Sequence, residues 1–249
     1  MFYWRSTVPD AGPGRPRVEL AVTGRTRGAG QAPYVGLNLG GHVGDDLASV
    51  EANRHLVAEQ VGVTRDRLLF LDQVHGADVV EAEGPWDGAV PVADGIVTRA
   101  TDLALAVLVA DCVPVLLHDV AAGVVGAVHA GRPGMVAGVV GEALSRMHEL
   151  GARRVSAVVG PSVCGRCYEV PAPMAAAAAQ VSPASAARSW TGTPAIDVSA
   201  GVVEQLASRD VAVTWVPGCT REHHDLYSYR RDGVTGRFAG VVVLRGGEQ

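Results

Sequence analysis

Apolar positions along the 249-residue chain follow two rhythms, and the switches between them mark out its elements. After Asp45 and Asp46, either of which can cap a helix, Leu47, Val50, Leu56, Val57 and Val61 recur on one helical face as far as Gly62. Met135, Val139, Ala143 and Met147, interleaved with Val136, Val140 and Leu144, predict a stronger helix ending at Gly151. The alanine run 175–179 predicts a third, and a fourth starts near Asp197 or Ser199 and carries Val202, Val203 and Leu206. Between them lie short β-branched runs at 68–71, 103–109, 113–117, 124–128, 155–159, 211–216 and 241–244. The runs from 103 to 117 and at 124–128 are uniformly apolar rather than alternating, so they predict strands covered on both faces. Helices packed outside a mixed sheet or sheets follow, an α/β (α+β) arrangement. The Gly/Pro-rich stretch 10–17 and the alanine run are the two low-complexity patches, and neither separates self-sufficient halves. A single domain spanning 1–249 is expected.

Composition narrows the function. Acidic groups outnumber basic ones 26 to 21, a net charge of −5, which leaves no basic footprint for a nucleic acid or an anionic membrane. The longest apolar run, 103–110, stops at Asp111, far short of the ~20 residues a membrane helix needs. Every basic residue is arginine, which excludes Schiff-base, pyridoxal-phosphate and P-loop chemistry, all of which require a lysine amine. The first residues lack the basic start and apolar stretch of a secretory signal, so a cytoplasmic protein is expected. In that setting the four cysteines are free thiols or metal ligands rather than a disulfide scaffold.

Three candidate ligands share one kind of position. His75 follows the run 68–71, Cys112 follows 103–109, and His129 ends 124–128, each beside glycine or proline that turns the chain. If those strand ends converge, two imidazoles and a thiolate supply three ligands with a fourth position open, as in catalytic zinc sites. Asp111, next to the thiol, could orient a ligand or accept a proton. The gaps of 37 and 17 residues match no compact zinc signature, and a lone strand-end histidine commonly just bonds a carbonyl. Residue types alone therefore leave a metal site, a thiol site and plain core residues all open.

Two other groups compete. Cys164-Gly165-Arg166-Cys167 is a C-x-x-C without a second pair, read as a turn between strand and helix. Cys219, His223 and His224 could clip a metal, but a solvated polar loop is the simpler reading. Arg25 and Arg27 flank a glycine-rich loop, and Arg230, Arg231 and Arg237 crowd the C-terminal region, where guanidinium groups can hold an oxyanion. Arg132 stands at a helix start directly after His129, where backbone amides can receive phosphate.

Taken in order, the segments 36–45 (GLNLGGHVGD), 73–76 (QVHG), 93–95 (ADG), 110–114 (ADCVP), 128–131 (VHAG), 160–162 (GPS) and 219–237, with its YRRDG and TGR, are similar to the YfiH-type laccase-domain family. That family was first described as multicopper polyphenol oxidoreductases and is now read as purine nucleoside phosphorylases. The resemblance implies a layered α/β/β/α domain with mixed sheets. It also implies zinc, with copper as the alternative metal, held by the counterparts of His75, Cys112 and His129. It further implies phosphorolysis of adenosine, inosine, guanosine and S-methyl-5′-thioadenosine, deamination of adenosine, and a monomer or homodimer whose partners are purine nucleosides and phosphate. Asn38, His42, Arg25, Arg27, Arg132, Arg230 and Arg237 become candidate substrate or phosphate ligands, and Asp111 a catalytic one. Copper-dependent phenol oxidation and a non-catalytic, peptidoglycan-editing role are the alternatives. One departure is plain: the family's usual Trp-Arg-Gly after His-Ala-Gly is Arg132-Pro133-Gly134 here.

Overall fold

The computed structural model describes residues 1–9 and 16–247, so most of the Gly/Pro-rich stretch lies outside the described residues. In chain order the elements are β1 (Phe2–Pro9), β2 (Arg17–Thr23), α1 (Leu47–Gln60), β3 (Leu68–Leu69), β4 (Val79–Glu81) and β5 (Gly95–Thr98). Then come β6 (Ala104–Val109), β7 (Val113–Asp119), β8 (Val124–Ala130), α2 (Arg132–Ala137), α3 (Val139–Glu149) and β9 (Ser156–Val159). The chain continues through α4 (Ala172–Val181), β10 (Ala186–Arg188), β11 (Pro194–Ile196), α5 (Val198–Ala207), β12 (Ala212–Trp215), α6 (Tyr229–Asp232) and β13 (Phe238–Arg245). One sheet has the order β1-β2-β13-β6-β3 and a second β12-β9-β7-β8-β5-β4, while β10 and β11 form a small hairpin. Both large sheets are mixed: β3 runs parallel to β6, β4 to β5 and β12 to β9, and the remaining pairs are antiparallel.

Alternation along the uniformly apolar strands builds the layers. On β6, Leu105 and Val107 face Leu116, Val125, Ala127 and Val158 of the second sheet, whereas Ala104, Ala106 and Leu108 face α1. On the second sheet, Val113, Val115, Leu117 and Val128 turn the other way, onto Met135, Val140, Leu144 and Met147 of α2 and α3 and Val202 of α5. The result is the α/β/β/α stack, with two covered faces on each sheet. Each fully buried Leu or Val stabilises the fold by about 1.5–3 kcal/mol, so burial on both faces explains why these strands lack polar alternation.

Capping fixes the helix starts. Asp46 accepts from the Ser49 amide at 3.0 Å and Asp197 from the Ala200 amide at 2.9 Å. The helix expected from Met135 to Gly151 is two helices: Gly138, at φ +92°, closes α2 and opens α3, a left-handed conformation that glycine adopts without strain. Leu47, expected on the buried face of α1, is exposed, and buried Asn53 takes a place there by bonding Gly36 O, Asn38 O and the Ala29 amide. The run at 211–216 becomes the exposed edge strand β12, and β1, β2, β4, β5 and the small hairpin had no counterpart in the sequence pattern. No helix among the described residues is long and apolar enough to cross a membrane.

Candidate functional site

Sheet register delivers the three candidate ligands to one place. Pairing of β7 with β8 sets Pro114 opposite His129 and Val113 opposite Ala130, so Cys112 emerges beside Gly131. Pairing of β5 with β8 sets Gly95 opposite Val128, which puts Asp94 beside His129. His75 arrives on the loop between β3 and β4 with a φ of +63°, and its ring meets the His129 ring edge-on. Its rigidity comes from one buried carboxylate. Asp94 accepts from the amides of Val74 at 3.2 Å, His75 at 3.0 Å and Gly76 at 2.6 Å. The same carboxylate accepts from His129 Nδ1 at 2.7 Å, which leaves Nε2 as the ring's free donor atom. Gln73 adds a second clamp, exchanging two hydrogen bonds of 2.8 Å with the Leu108 backbone at the end of β6.

The resulting cluster is compact. Cys112 Sγ lies 3.7 Å from His75 Nε2, the two imidazole centroids are 4.7 Å apart, and one donor atom of each residue lies within 4.8 Å of the others. Tetrahedral zinc bonds of about 2.0–2.3 Å require a sulfur-to-nitrogen separation of roughly 3.6 Å, so the donor set fits such an ion. A side chain at Gly131 would strike His75 Cδ2 at 2.6 Å and crowd Cys112 Sγ at 3.2 Å; only glycine lets α2 begin here. Burial disfavours a thiolate at Cys112, but His129 and His75 outweigh it and bring the thiol down to about 6. Burial also disfavours a charged His129, and here the Cys112 sulfur and the Asp94 carboxylate prevail, raising the ring above the usual histidine range.

This cluster forms the floor of a cavity of about 730 Å³ whose walls include Leu108, Val163, Val198, Tyr168 and Tyr229. Of the predicted substrate ligands, His42, Arg132, Arg230 and Arg237 line it, as does Asp111. Burial, together with Arg237 and Arg54, holds His42 below the usual histidine range. Arg230 stacks over the Tyr168 ring at 4.6 Å, and Arg237 Nη1 is braced by the carbonyls of Thr235 and Gly236. Arg132 opens α2, a six-residue helix with proline in its first turn, and is among the residues that line the cavity.

Arg25, Arg27 and Asn38 lie outside the cavity lining. Arg25 covers the Tyr227 ring at 4.9 Å, and Arg27 is exposed. Asn38 is wholly buried, bonding Asp45 through Nδ2 while its Oδ1 accepts from the amides of Gly40 and Arg237. Asp111 sits at φ +88° and accepts three hydrogen bonds: Thr220 Oγ1 at 2.6 Å, Ser228 Oγ at 2.7 Å and the Arg230 amide at 2.7 Å. It thereby ties the loop that carries Thr220 and the first turn of α6, with Arg230, to the cavity lining. Asp94, Gln73, Tyr168 and Tyr229 were not foreseen as site residues. A signal existed for Asp94, Gln73 and Tyr229, since all three stand inside the segments that carry the family resemblance.

The model of the family described as multi-copper polyphenol oxidoreductase laccase matches residues 19–245. A purine nucleoside phosphorylase of Streptomyces coelicolor is 55% identical over 231 residues, covering 90% of this chain and 95% of that protein. Another protein so named, from Streptomyces griseus, is 52% identical over 249 residues, covering 98% and 100% respectively. Among solved structures, a Neisseria meningitidis protein superposes with a TM-score of 0.83 at 33% identity, covering 97% of this chain and 99% of its own.

Proposed function

From the premise that the chain belongs to the multi-copper polyphenol oxidoreductase laccase family, we propose that it is a metal-dependent purine nucleoside phosphorylase that also deaminates adenosine. The observation that carries this reading is one cavity in which a three-donor cluster faces Arg132, Arg230 and Arg237 between aromatic walls. Its volume suits a nucleoside with phosphate. Adenosine, inosine, guanosine and S-methyl-5′-thioadenosine are the proposed substrates.

Phosphorolysis joins a phosphate oxygen to the anomeric carbon and breaks the glycosidic bond, and the base leaves with that electron pair and a proton. The arginines bind and orient phosphate, which lowers the entropic part of the barrier. Tyr168 and Tyr229 supply flat apolar surface for the purine, and His42, biased toward its neutral form, offers a hydrogen bond without added charge. A zinc ion held by His75, Cys112 and His129 would supply a Lewis acid with one coordination position open to substrate or water. In deamination, water replaces the amino group of adenosine and ammonia leaves. Asp111 Oδ2, with one lone pair left after the Arg230 amide, is the proposed proton acceptor.

The reading is tested by incubating zinc-loaded protein with each nucleoside, with and without phosphate, and separating the products. Free base appearing only with phosphate, and inosine appearing from adenosine, are expected; Cys112→Ala is expected to give neither. Base release indifferent to phosphate, or no turnover at all, contradicts it. Oxygen uptake with a phenol would instead favour a copper oxidase.

A further inference from the structure

Away from the cavity, the two cysteine groups that the sequence presents separately come together. Cys164, Cys167, Cys219 and Glu222 each offer one donor atom, and these atoms lie within 4.8 Å of one another. We propose that these four residues form a second, structural metal site for a zinc-class cation. The inference does not depend on the phosphorolysis reading.

The local geometry is that of two facing turns with the same spacing. In Cys164-x-x-Cys167 the Cys167 amide donates to Cys164 O at 2.9 Å, and in Cys219-x-x-Glu222 the Glu222 amide donates to Cys219 O at 3.1 Å. A parallel bridge between Ser162 and Cys219, with the Thr220 amide donating to Ser162 O at 3.0 Å, sets one turn against the other. Across the gap the Cys164 amide donates to Cys219 Sγ at 3.4 Å, as backbone amides do to metal thiolates, and Cys167 Sγ lies 3.3 Å from Glu222 Oε1. Among the described residues, no arginine forms an ion pair with Glu222, although Arg221 directly precedes it and Arg166 directly precedes Cys167. Three sulfurs and a carboxylate thus converge with no partner cation from the protein.

Four protein donors leave no open position, which distinguishes a structural site from a catalytic one, and three thiolates select zinc or another soft cation over calcium or magnesium. His223 and His224, the other residues of this segment weighed as ligands, stay out of the cluster; His223 meets the Tyr3 ring edge-on at 5.0 Å. The site also has a task. Tyr168 follows Cys167 directly, and Thr220 follows Cys219 and bonds Asp111, so a metal here would fasten two loops that shape the catalytic cavity.

The test measures bound zinc by mass spectrometry after exhaustive dialysis of the full chain. Two equivalents per chain are expected for the wild type, one for Cys112→Ala and one for the double variant Cys164→Ala/Cys167→Ala. A double variant that keeps the wild-type content, a Cys112→Ala protein with none, or a disulfide within the trio in freshly purified protein would overturn the proposal. Should the double variant fail to fold, cobalt(II) added to Cys112→Ala decides: intense thiolate-to-cobalt charge transfer supports the site, and its absence refutes it.

Discussion

The two sulfur clusters use the same elements to opposite ends. At His75, Cys112 and His129 the donors come from sheet register and are clamped by Asp94, the thiol is pushed down by imidazoles, and a cavity lies in front. At Cys164, Cys167, Cys219 and Glu222 the donors come from two loop turns, and burial, the Glu222 carboxylate and the neighbouring sulfurs push the Cys167 thiol up. Three donors facing a cavity suit chemistry, whereas four donors facing each other suit the holding of loops. The lesson is that ligand count and backing, rather than the presence of thiols, separate a reaction site from a fastening.

The largest expected effect comes from removing the backing of the first cluster. Asp94→Asn keeps the side chain's shape but weakens its hold on His129 and the amides of residues 74–76, and should cost about 10–100-fold in metal affinity or activity. Titration with a competing chelator measures it, and zinc at the four-donor cluster should be untouched. Equal loss at both clusters would break the contrast.

Next is the fastening itself. Loss of the second site in Cys164→Ala/Cys167→Ala should destabilise the fold by about 1 kcal/mol, roughly 2–4 °C in Tm by calorimetry. Because Tyr168 and Arg230 line the cavity, KM for phosphate should rise more than kcat falls. An unchanged Tm would leave the second cluster without a structural role.

The smallest effect is one of rate. In metal-free protein the Cys112 thiolate should form as pH rises through about 6, so iodoacetamide should label it with a rate that climbs across that range and then levels. Cys167, whose thiol is raised, should remain slow through neutral pH. Peptide mapping of the labelled protein reads both at once, and the reverse order of labelling would invert the comparison.

How much of this was legible in sequence depended on distance along the chain. His75, Cys112 and His129 stood out because each ends an apolar run, and doubly covered strands announce themselves by lacking polar alternation. The role of Asp94 was hidden because it depends on β5, a four-residue strand with no counterpart in the sequence pattern, pairing with β8. The second cluster was hidden because the turns at 164–167 and 219–222 lie 55 residues apart along the chain and are set against each other by the bridge between Ser162 and Cys219. β1 and β2 escaped because polar Arg5, Thr7, Arg17 and Glu19 interrupt their apolar positions. The break at Gly138 escaped because the helical period runs on across it.

Two imidazoles and one thiolate are proposed to hold a single metal ion at the floor of the arginine-lined cavity. Anomalous diffraction at the zinc edge from crystals grown with zinc tests it directly. A peak is expected at bonding distance, about 2.0–2.3 Å, from His75 Nε2, Cys112 Sγ and His129 Nε2 together. Strong zinc peaks elsewhere in the molecule, with none among these three atoms, would contradict it.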